Sequence, residues 1–490
     1  MNYGVVLRLL AYTTGALAFA FAACLALAFA VDSPEDRGRA LLGFSVSTGV
    51  AAFLAGTLWI AGRTENKRFF RKEALTVIGV AWLLASVIGA LPYLFILPGI
   101  SAPDAVFESA SGITTTGASV LSDLEELPRS LLLWRALSQW MGGLGVVVFF
   151  VAILSSLGAG AKVLFSREST TESNELDSSR IQQGVLHILY LYLALSAACA
   201  VSLWLAGMGV FDAVAHTFTT ISTGGYSTRS ASIAAFESEA VEWVMVTFMV
   251  LGGTSFLVML RLARGDWRGL RKATEVKAYY LLLLLATGLT IVVIWESGEF
   301  DSFHHALRVA AFQVVSLTTT SGFTTHDYDA WVPAGSILML VLMMIGGCSG
   351  STSGSTKVIR YVIAFRVLML EIEKSFRARL VRPIRVNGQI LSEGAQRAAI
   401  VYITAMFLIT GFSFILVAIV EPHISMLGIL SSVISSLCNI GPGFAEIGPT
   451  ENFAILSGPT KLYLSFLMVL GRIELFAVLV LFIPALWRRY

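Results

Sequence analysis

The sequence predicts an all-α polytopic membrane protein, with two N-terminal transmembrane helices followed by four repeats of helix, pore loop and helix. Composition is the first reason, because 56% of the 490 residues are hydrophobic and only 13% are charged. A soluble domain carries about 25% charged residues. The mean hydropathy of +0.77 agrees. The second reason is a pattern of long apolar segments, interrupted four times by a short apolar segment and a Gly/Thr/Ser-rich turn.

Ten segments reach the length of about 20 apolar residues that a membrane-crossing helix needs. They are residues 5–30, 40–62, 73–97, 130–157, 183–207, 240–262, 278–297, 334–363, 397–420 and 460–486. The first lacks an evident cleavage site, so we expect a retained helix rather than a signal peptide. The predicted units are the N-terminal helix pair (1–65), repeat 1 (66–165), repeat 2 (166–268), repeat 3 with a broken second helix (269–385) and repeat 4 (386–490).

Basic residues concentrate in every second connection, which assigns these connections to the cytoplasm. They occupy residues 61–73, 261–277 and 357–397 and the C-terminal Arg488-Arg489. Ten crossings then place both termini in the cytoplasm. The alternate loops are acidic, and their charges are placed to attract cations. The acidic residues are Asp104, Glu108, Asp123, Glu125, Glu126, Asp301, Asp327 and Asp329.

These acidic connections also contain short apolar segments, at residues 103–114, 210–222, 302–319 and 424–438. About a dozen residues cannot span a bilayer, and this length suits a re-entrant half-helix. Each segment precedes a polar turn and another long helix, so the same unit occurs four times.

The four turns align on one glycine each, and the two residues before that glycine complete each candidate site. The residues concerned are Thr115, Thr116, Gly117, Thr223, Gly224, Gly225, Thr320, Ser321, Gly322, Asn439, Ile440 and Gly441. A potassium ion that sheds its water needs replacement oxygens, which rings of backbone carbonyls supply. Glycine reaches dihedral angles that aim successive carbonyls inward, and the turns hold no acidic residue.

The four turns in register favour this ion-binding interpretation over glycine turns that merely join two membrane helices. The fourth turn is the least regular, because it has no threonine and Pro442 follows its glycine. We therefore expect a central pore with only pseudo-fourfold symmetry.

The chain resembles the Trk/Ktr/HKT superfamily of cation transporters along its whole length, and specifically the membrane subunit of its Trk branch. The most specific passages are FESASGITTTGAS (107–119), WRALSQWMGGLGVVV (134–148), GGCSGSTSGSTKVIR (346–360), CNIGPGF (438–444) and LGRIELFAVLVLF (470–482). The extra N-terminal helix pair is also a feature in which this chain resembles the Trk branch.

The resemblance implies potassium uptake in a bacterial cytoplasmic (inner) membrane, and the four filter glycines favour potassium over sodium. It further implies a homodimer with one pore per protomer, and a cytosolic partner made of nucleotide-binding RCK subunits of the Trk A type. This chain has no Rossmann glycine fingerprint of its own, so we expect no cofactor in it and nucleotide control only through the partner.

The eighth long segment is broken by residues 346–355, which contain no large apolar side chain. A phosphate-binding loop is disfavoured because the G-x-x-x-x-G-K-[ST] pattern is absent. A close-packing surface of small residues remains an alternative interpretation. We favour a flexible loop that obstructs the pore below the filter, a gating role that the resemblance implies for Gly346, Gly347, Gly350 and Gly354.

Arg472 and Glu474 lie inside the last apolar segment, where charges are costly and face a cavity or a partner. They either pair with each other or with loop carbonyls, or Arg472 lies near the pore and holds the gate. The family resemblance supports the second placement.

Three further sets of residues each have their own interpretation. Trp134, Arg135, Gln139 and Trp140 are typical of a membrane-interface belt, and Gly142, Gly143 and Gly145 of helix packing. The basic residues 357–385 suit contact with anionic lipid or with a soluble partner.

The competing functions differ in the residues they require. A proton- or sodium-coupled potassium symporter is the alternative, since broken helices occur in coupled transporters. Against it, few carboxylates lie deep in the helices to relay protons, and Glu474 is the main one. An enzyme is disfavoured because no Ser/His/Asp set or H-E-x-x-H motif is present, and a non-transporting receptor because of the four turns. The scattered cysteines and histidines disfavour disulfides and metal sites other than potassium, and the net charge of +2 gives no indication of nucleic-acid binding.

Overall fold

The computed structural model describes residues 1–63, 71–156, 178–267, 273–295 and 302–487. Several predicted features lie outside these residues: Lys67, Arg68, Arg268, Arg271, Lys272, Asp301, Arg488, Arg489, and the boundaries after residues 65, 165 and 268. The boundary after residue 385 falls within the first of two short strands.

In the described part of the chain, one short hairpin is the only strand structure and helices predominate, which confirms the predicted all-α class. The N-terminal pair and repeat 1 comprise α1 (Tyr3–Val31), α2 (Pro34–Ala61), α3 (Arg71–Ile88), α4 (Leu91–Ile96), α5 (Ala102–Ile113) and α6 (Arg129–Ser156). Repeat 2 comprises α7 (Ser178–Leu205), α8 (Val210–Ile221), α9 (Glu239–Gly252) and α10 (Phe256–Ala263).

Repeat 3 comprises α11 (Thr274–Trp295), α12 (Phe303–Thr318), α13 (Pro333–Met343) and α14 (Val358–Phe376), followed by the antiparallel strands β1 (Arg385–Val386) and β2 (Gln389–Ile390). Repeat 4 comprises α15 (Glu393–Val420), α16 (Met426–Cys438), α17 (Gly458–Arg472), α18 (Phe476–Leu479) and α19 (Pro484–Trp487). The short helices α5, α8, α12 and α16 confirm the four predicted half-helices.

The protein is a multi-pass membrane protein. Among the described residues, six helices are long and apolar enough to cross a membrane, or eight if each of two bent pairs counts as one span. The remaining predicted spans correspond to α6, which has 28 residues, and to the broken pair α13 and α14.

Two predicted spans are wrong as single helices. The segment 240–262 bends by 98° between α9 and α10, and the segment 460–486 bends by 112° after α17. At the first bend, the carbonyls of Gly252 and Gly253 accept hydrogen bonds from Thr352 and Cys348 instead of continuing the helical ladder. At the second, Glu474 and Leu475 take left-handed φ values of 58° and 44°. Both breaks lie beside the loop between α13 and α14.

The repeats pack in a closed cyclic order. Each half-helix packs against the second helix of the preceding repeat: α8 on α6, α12 on α9 and α16 on α13. The half-helix of repeat 1, α5, packs on α17 of repeat 4, which closes the circle. The ends of the four half-helices are thereby brought together at the centre of the molecule.

The N-terminal pair is fixed to repeat 1 on its outside. Asp32, between α1 and α2, is buried and accepts hydrogen bonds from the backbone nitrogen and the hydroxyl of Ser130, at the start of α6. Phe21 of α1 packs on Trp134 with ring centroids 4.6 Å apart. The pair thus stabilises α6 without entering the central circle.

Candidate functional site

The four half-helices end in the same way. The first three turns after them, which we call turns 1 to 3, are Thr115–Gly117, Thr223–Gly225 and Thr320–Gly322, and turn 4 is Asn439–Gly441. In each turn the middle residue donates its backbone N–H to a carbonyl five residues earlier, as in a Schellman motif. These bonds are Thr116 to Ser111 (2.8 Å), Gly224 to Thr219 (2.7 Å), Ser321 to Ser316 (2.8 Å) and Ile440 to Ser435 (3.0 Å).

The backbone of every turn is left-handed at its first and last residues. The first residues have φ values of 52° to 59°, and the glycines have values of 74° to 109°. Threonine is β-branched and is an outlier in this region, yet it occupies the first position of three turns. Residues held in such conformations cost about 1–3 kcal/mol each and cluster at functional sites.

The turns form a closed ring at their glycines. A Cβ at Gly117, Gly225 or Gly322 would overlap the carbonyl oxygen of the residue before the glycine of the next turn, namely Gly224, Ser321 or Ile440. A Cβ at Gly441 would lie 2.9 Å from the Thr116 oxygen of turn 1. Only glycine allows this approach of one backbone to the next.

Most turn carbonyls accept no hydrogen bond from the described part of the chain. Among the described residues, donors reach only the carbonyl oxygens of Gly224, from Gln139 at 2.6 Å, and of Gly441, from Ser435 at 2.7 Å. Buried carbonyls are normally paired, and the threonines of the ring are fully buried. The ring therefore offers oxygens that a cation or water can bind.

Asn439 joins turn 4 to turn 1. Its Nδ2 donates to Thr116 Oγ1 at 2.9 Å and to the Met468 carbonyl at 2.8 Å. Asparagine tolerates the left-handed conformation of this position (φ 57°) better than most residues do. The residue that makes turn 4 irregular in sequence thus has a structural role in the ring.

A buried ion pair lies behind turns 1 and 2. Arg135 Nε lies 3.4 Å from Glu108 Oε2, and both side chains are at most 2% exposed. Glu108 Oε1 also accepts from the hydroxyl of Ser119 at 2.5 Å and the backbone nitrogen of Val120 at 2.7 Å. The prediction that Glu108 belongs to an acidic loop that attracts cations is wrong, because its charge is buried and paired.

The residues 346–355, which we call the central loop, lie directly beneath the ring, and all of them are buried. The backbone nitrogen of Gly354 donates to Thr320 Oγ1 of turn 3 at 2.6 Å. Thr352 Oγ1 donates to the Ile221 carbonyl at 2.9 Å and to the Gly252 carbonyl at 3.1 Å. A Cβ at Gly354 would lie 2.5 Å from the Cys438 carbonyl oxygen.

Arg472 contacts the central loop, whereas Glu474 does not. Arg472 is 4% exposed, and its Nη1 donates to the Thr352 carbonyl at 2.6 Å. Glu474 instead pairs with Arg360 at 2.8 Å, and its side chain is 39% exposed. The two residues do not pair with each other, and Glu474 is not a carboxylate deep in a helix.

The interpretation of Trp134, Arg135 and Gln139 as an interface belt is wrong. Their relative exposures are 0%, 1% and 0%, and the Trp134 indole donates to the Gly89 carbonyl at 3.2 Å. Trp140 is half-buried and donates to Ser196 Oγ at 3.1 Å. Sequence reasoning missed Gln139 as a residue of the site, although a polar side chain within an apolar helix was the available signal.

Two of the three predicted packing glycines do lie at helix contacts. A Cβ at Gly142 would overlap the Ile113 carbonyl, and one at Gly143 would lie 2.7 Å from Ser222 Cβ. Both positions hold α6 against the ends of half-helices. Gly145 is less constrained, with Trp82 at 3.6 Å.

Comparisons with known proteins agree on one family. The family model described as TrkH, cation transport protein, matches residues 45–489. The chain is 34% identical over 462 residues to the Trk system potassium uptake protein TrkH of Salmonella typhimurium, covering 93% of each protein. It is 33% identical to TrkI of Halomonas elongata, covering 100% of this chain and 98% of that protein. The crystal structure of the potassium transporter TrkH from Vibrio parahaemolyticus matches with a TM-score of 0.90, at 30% identity and full coverage of both chains.

Proposed function

Since the chain belongs to the TrkH family of cation transport proteins, we propose that it takes up potassium across the bacterial cytoplasmic membrane through the ring of turns 1 to 4. The named relatives are potassium uptake proteins of Trk systems. The observation that carries the proposal is the closed ring itself, in which each glycine abuts a carbonyl of the next turn.

The ring suits a dehydrated cation for two physical reasons. Most of its carbonyl oxygens have no donor among the described residues, and such oxygens replace the water ligands of potassium. The C-termini of four half-helices also meet there, and each contributes the negative end of a helix dipole. The twelve residues of turns 1 to 4 are the proposed potassium site.

The central loop is the proposed gate. It lies beneath the ring, and Gly346 and Gly350 have left-handed φ values of 81° and 72°, so glycine is required for its shape. Arg472 places a positive charge in contact with the loop, which raises the barrier to a cation. Nε and Nη2 of Arg472 are buried and have no partner among the described residues.

Regulation is proposed to come from outside this chain. The family resemblance implies a cytosolic nucleotide-binding RCK partner of the Trk A type, a homodimer and both termini in the cytoplasm. With this topology, β1 and β2 lie on the cytoplasmic side, packed on α14 and α15 through a small core that includes Ile363, Val386 and Leu391. The proposal requires neither a catalytic residue nor a cofactor in this chain.

Proton- or sodium-coupled symport is the alternative. The buried carboxylate of Glu275 favours it, since this residue accepts a hydrogen bond from the Ser349 backbone of the central loop at 2.6 Å. A carboxylate that changed its protonation state there would alter its hold on the loop.

Ion flux into liposomes separates the two candidates. Purified protein is reconstituted, and potassium and sodium uptake are compared with the proton gradient collapsed. Potassium-selective flux down its own gradient supports a channel-like mechanism, and flux only with an imposed proton or sodium gradient supports symport. If the chain with its cytosolic partner moves no potassium under either condition, the proposed function is wrong.

A further inference from the structure

Gln139 of α6 holds both peptide groups that flank Gly225 in turn 2. Its Nε2 donates to the Gly224 carbonyl at 2.6 Å, and its Oε1 accepts from the Tyr226 backbone nitrogen at 3.1 Å. Gln139 is fully buried. One side-chain amide from repeat 1 thus fixes the backbone of repeat 2 at the ring.

Turn 2 has a particular need for such a contact. It contains two adjacent glycines, which are the residues with the greatest backbone freedom. In turns 3 and 4, a serine of the half-helix itself holds the backbone, because Ser316 donates to the Phe323 carbonyl at 2.6 Å and Ser435 to the Gly441 carbonyl at 2.7 Å.

The equivalent residue of repeat 2 is Thr219, which lies six residues before Gly225. Its hydroxyl donates instead to carbonyls of its own helix, at His216 (3.1 Å) and Ala215 (3.3 Å). Turn 2 therefore lacks the contact made by Ser316 and Ser435, and Gln139 supplies a substitute from the neighbouring repeat.

We propose that Gln139 is a positioning residue that determines the ion selectivity of the ring by fixing Gly224 and Gly225. The inference rests on the proposed potassium pathway and adds a selectivity determinant outside the four turns. Gln139 does not contact the ion. It acts through the Gly224 carbonyl, which abuts Gly117 of turn 1.

Arg135 supports the same arrangement one helical turn earlier. Its guanidinium lies 4.0 Å from the centre of the Tyr226 ring and donates to the Ser227 carbonyl at 3.2 Å and Ser119 Oγ at 3.1 Å. The face of α6 that carries Gln139 is thus attached to the segments that follow turns 1 and 2.

Selectivity is the property that this contact should affect. A ring of carbonyls discriminates between ions through its size and the field of its oxygens. Without the amide, the Gly224 carbonyl is free to rotate, and the ring can contract around the smaller sodium ion. Flux of sodium should then rise relative to flux of potassium.

The test compares Gln139→Leu and Gln139→Glu in liposomes. Leucine removes both hydrogen bonds, whereas glutamate retains an acceptor for Tyr226 but has no donor for Gly224 when ionised. Gln396→Leu is the matched control, because Gln396 donates to the Leu391 carbonyl at 3.0 Å, away from the ring. Melting temperatures identify variants that fail to fold.

Both Gln139 variants lose the hydrogen bond to the Gly224 carbonyl, so we expect the potassium-to-sodium uptake ratio to fall about tenfold in each. This corresponds to about 1.4 kcal/mol, a size typical of one lost buried hydrogen bond. The control should keep the wild-type ratio. Where Gln139→Leu does not fold, Gln139→Glu decides. If the wild type is selective and a folded Gln139 variant keeps its ratio, this inference alone is overturned. If the wild type shows no potassium flux, the proposed function is overturned.

Discussion

The Nδ2 atom of Asn439 donates to Thr116 Oγ1 at 2.9 Å, across 323 residues of sequence. This bond joins the last repeat to the first and completes a ring that the cyclic packing of half-helices prepares. Because this bond lies beside the glycines, a substitution in one turn should affect the whole ring and not that turn alone.

Serine in place of Gly225 should abolish potassium selectivity or flux. The new Cβ would overlap the Ser321 carbonyl, and serine is strained at the φ value of 82°. Flux in liposomes measures the effect. Gly411→Ser is the control, because in the described structure nothing outside the local α15 backbone lies within 4 Å of its Cβ position. Normal selectivity in Gly225→Ser would exclude turn 2 from the ion path.

The Arg472→Gln substitution should raise potassium flux in the absence of the proposed cytosolic partner. It removes the positive charge that contacts the central loop at Thr352. A tenfold rise corresponds to a barrier lowered by about 1.4 kcal/mol. The exposed Arg377, changed to Gln, is the control. If Arg472→Gln leaves flux and its regulation by the partner unchanged, Arg472 has no gating role.

Gate flexibility can be tested separately at Gly350, which has a φ value of 72° and whose carbonyl accepts from the Phe256 backbone at 3.0 Å. Gly350→Val strains this conformation, so flux should change. Flux equal to that of the wild type in this and similar variants of the central loop would leave only the close-packing interpretation.

Substitutions in the buried ion pair of Glu108 and Arg135 should change the stability of the protein. Arg135→Met leaves the Glu108 charge buried without its partner, which should cost about 3–5 kcal/mol. The double variant Glu108→Gln/Arg135→Met removes both charges and should recover part of that loss. Denaturation in detergent measures both. A double variant less stable than Arg135→Met would show that the remaining hydrogen bonds of Glu108 dominate.

Acid should destabilise the loops that follow the turns. Burial alone would raise the pKa of the Glu125 carboxyl, but hydrogen bonds from the side chain and backbone of Ser230 outweigh it and hold the pKa below its usual value. Hydrogen bonds from Ser425 likewise outweigh the effect of burial and lower the pKa of the Glu446 carboxyl. Because the folded pKa is lowered, this contribution is present above about pH 4.3 and is lost as the pH falls through the folded pKa.

The double variant Glu125→Gln/Glu446→Gln should therefore melt lower than the wild type at pH 7 and lose less stability on acidification. Glu451→Gln is the control, because Glu451 also lies in a loop after turn 4 but is exposed. Melting curves from pH 7 to about pH 3 provide the measurement. Parallel curves for wild type and double variant would contradict the assigned role of these carboxylates.

The short apolar runs of the sequence located the half-helices within a few residues, because each run ends at a Gly/Thr/Ser-rich turn. Hydropathy could not reveal the breaks after α9 and α17, since apolar residues continue through both. These breaks arise from tertiary contacts, such as the Cys348 nitrogen bonded to the Gly253 carbonyl, which no local pattern records.

The order of the turns in the ring and the contact of Gln139 with turn 2 were also beyond sequence reasoning. Both depend on residues that are far apart in the chain. In the local motif W-R-x-x-x-Q-W, Arg135 and Gln139 lie four residues apart on one helix face, and the composition is that of an interface belt. Only the burial of Trp134, Arg135 and Gln139 shows that they do not form such a belt.

The position of bound ions tests whether the ring of turns 1 to 4 is the ion path. Crystals grown in rubidium or thallium salts, which substitute for potassium, would show the ions by anomalous scattering. We expect ions on the axis of the ring, encircled by the carbonyl oxygens of Thr116, Gly224, Ser321 and Ile440. Ions bound elsewhere in the membrane region, with none at the ring, would contradict it.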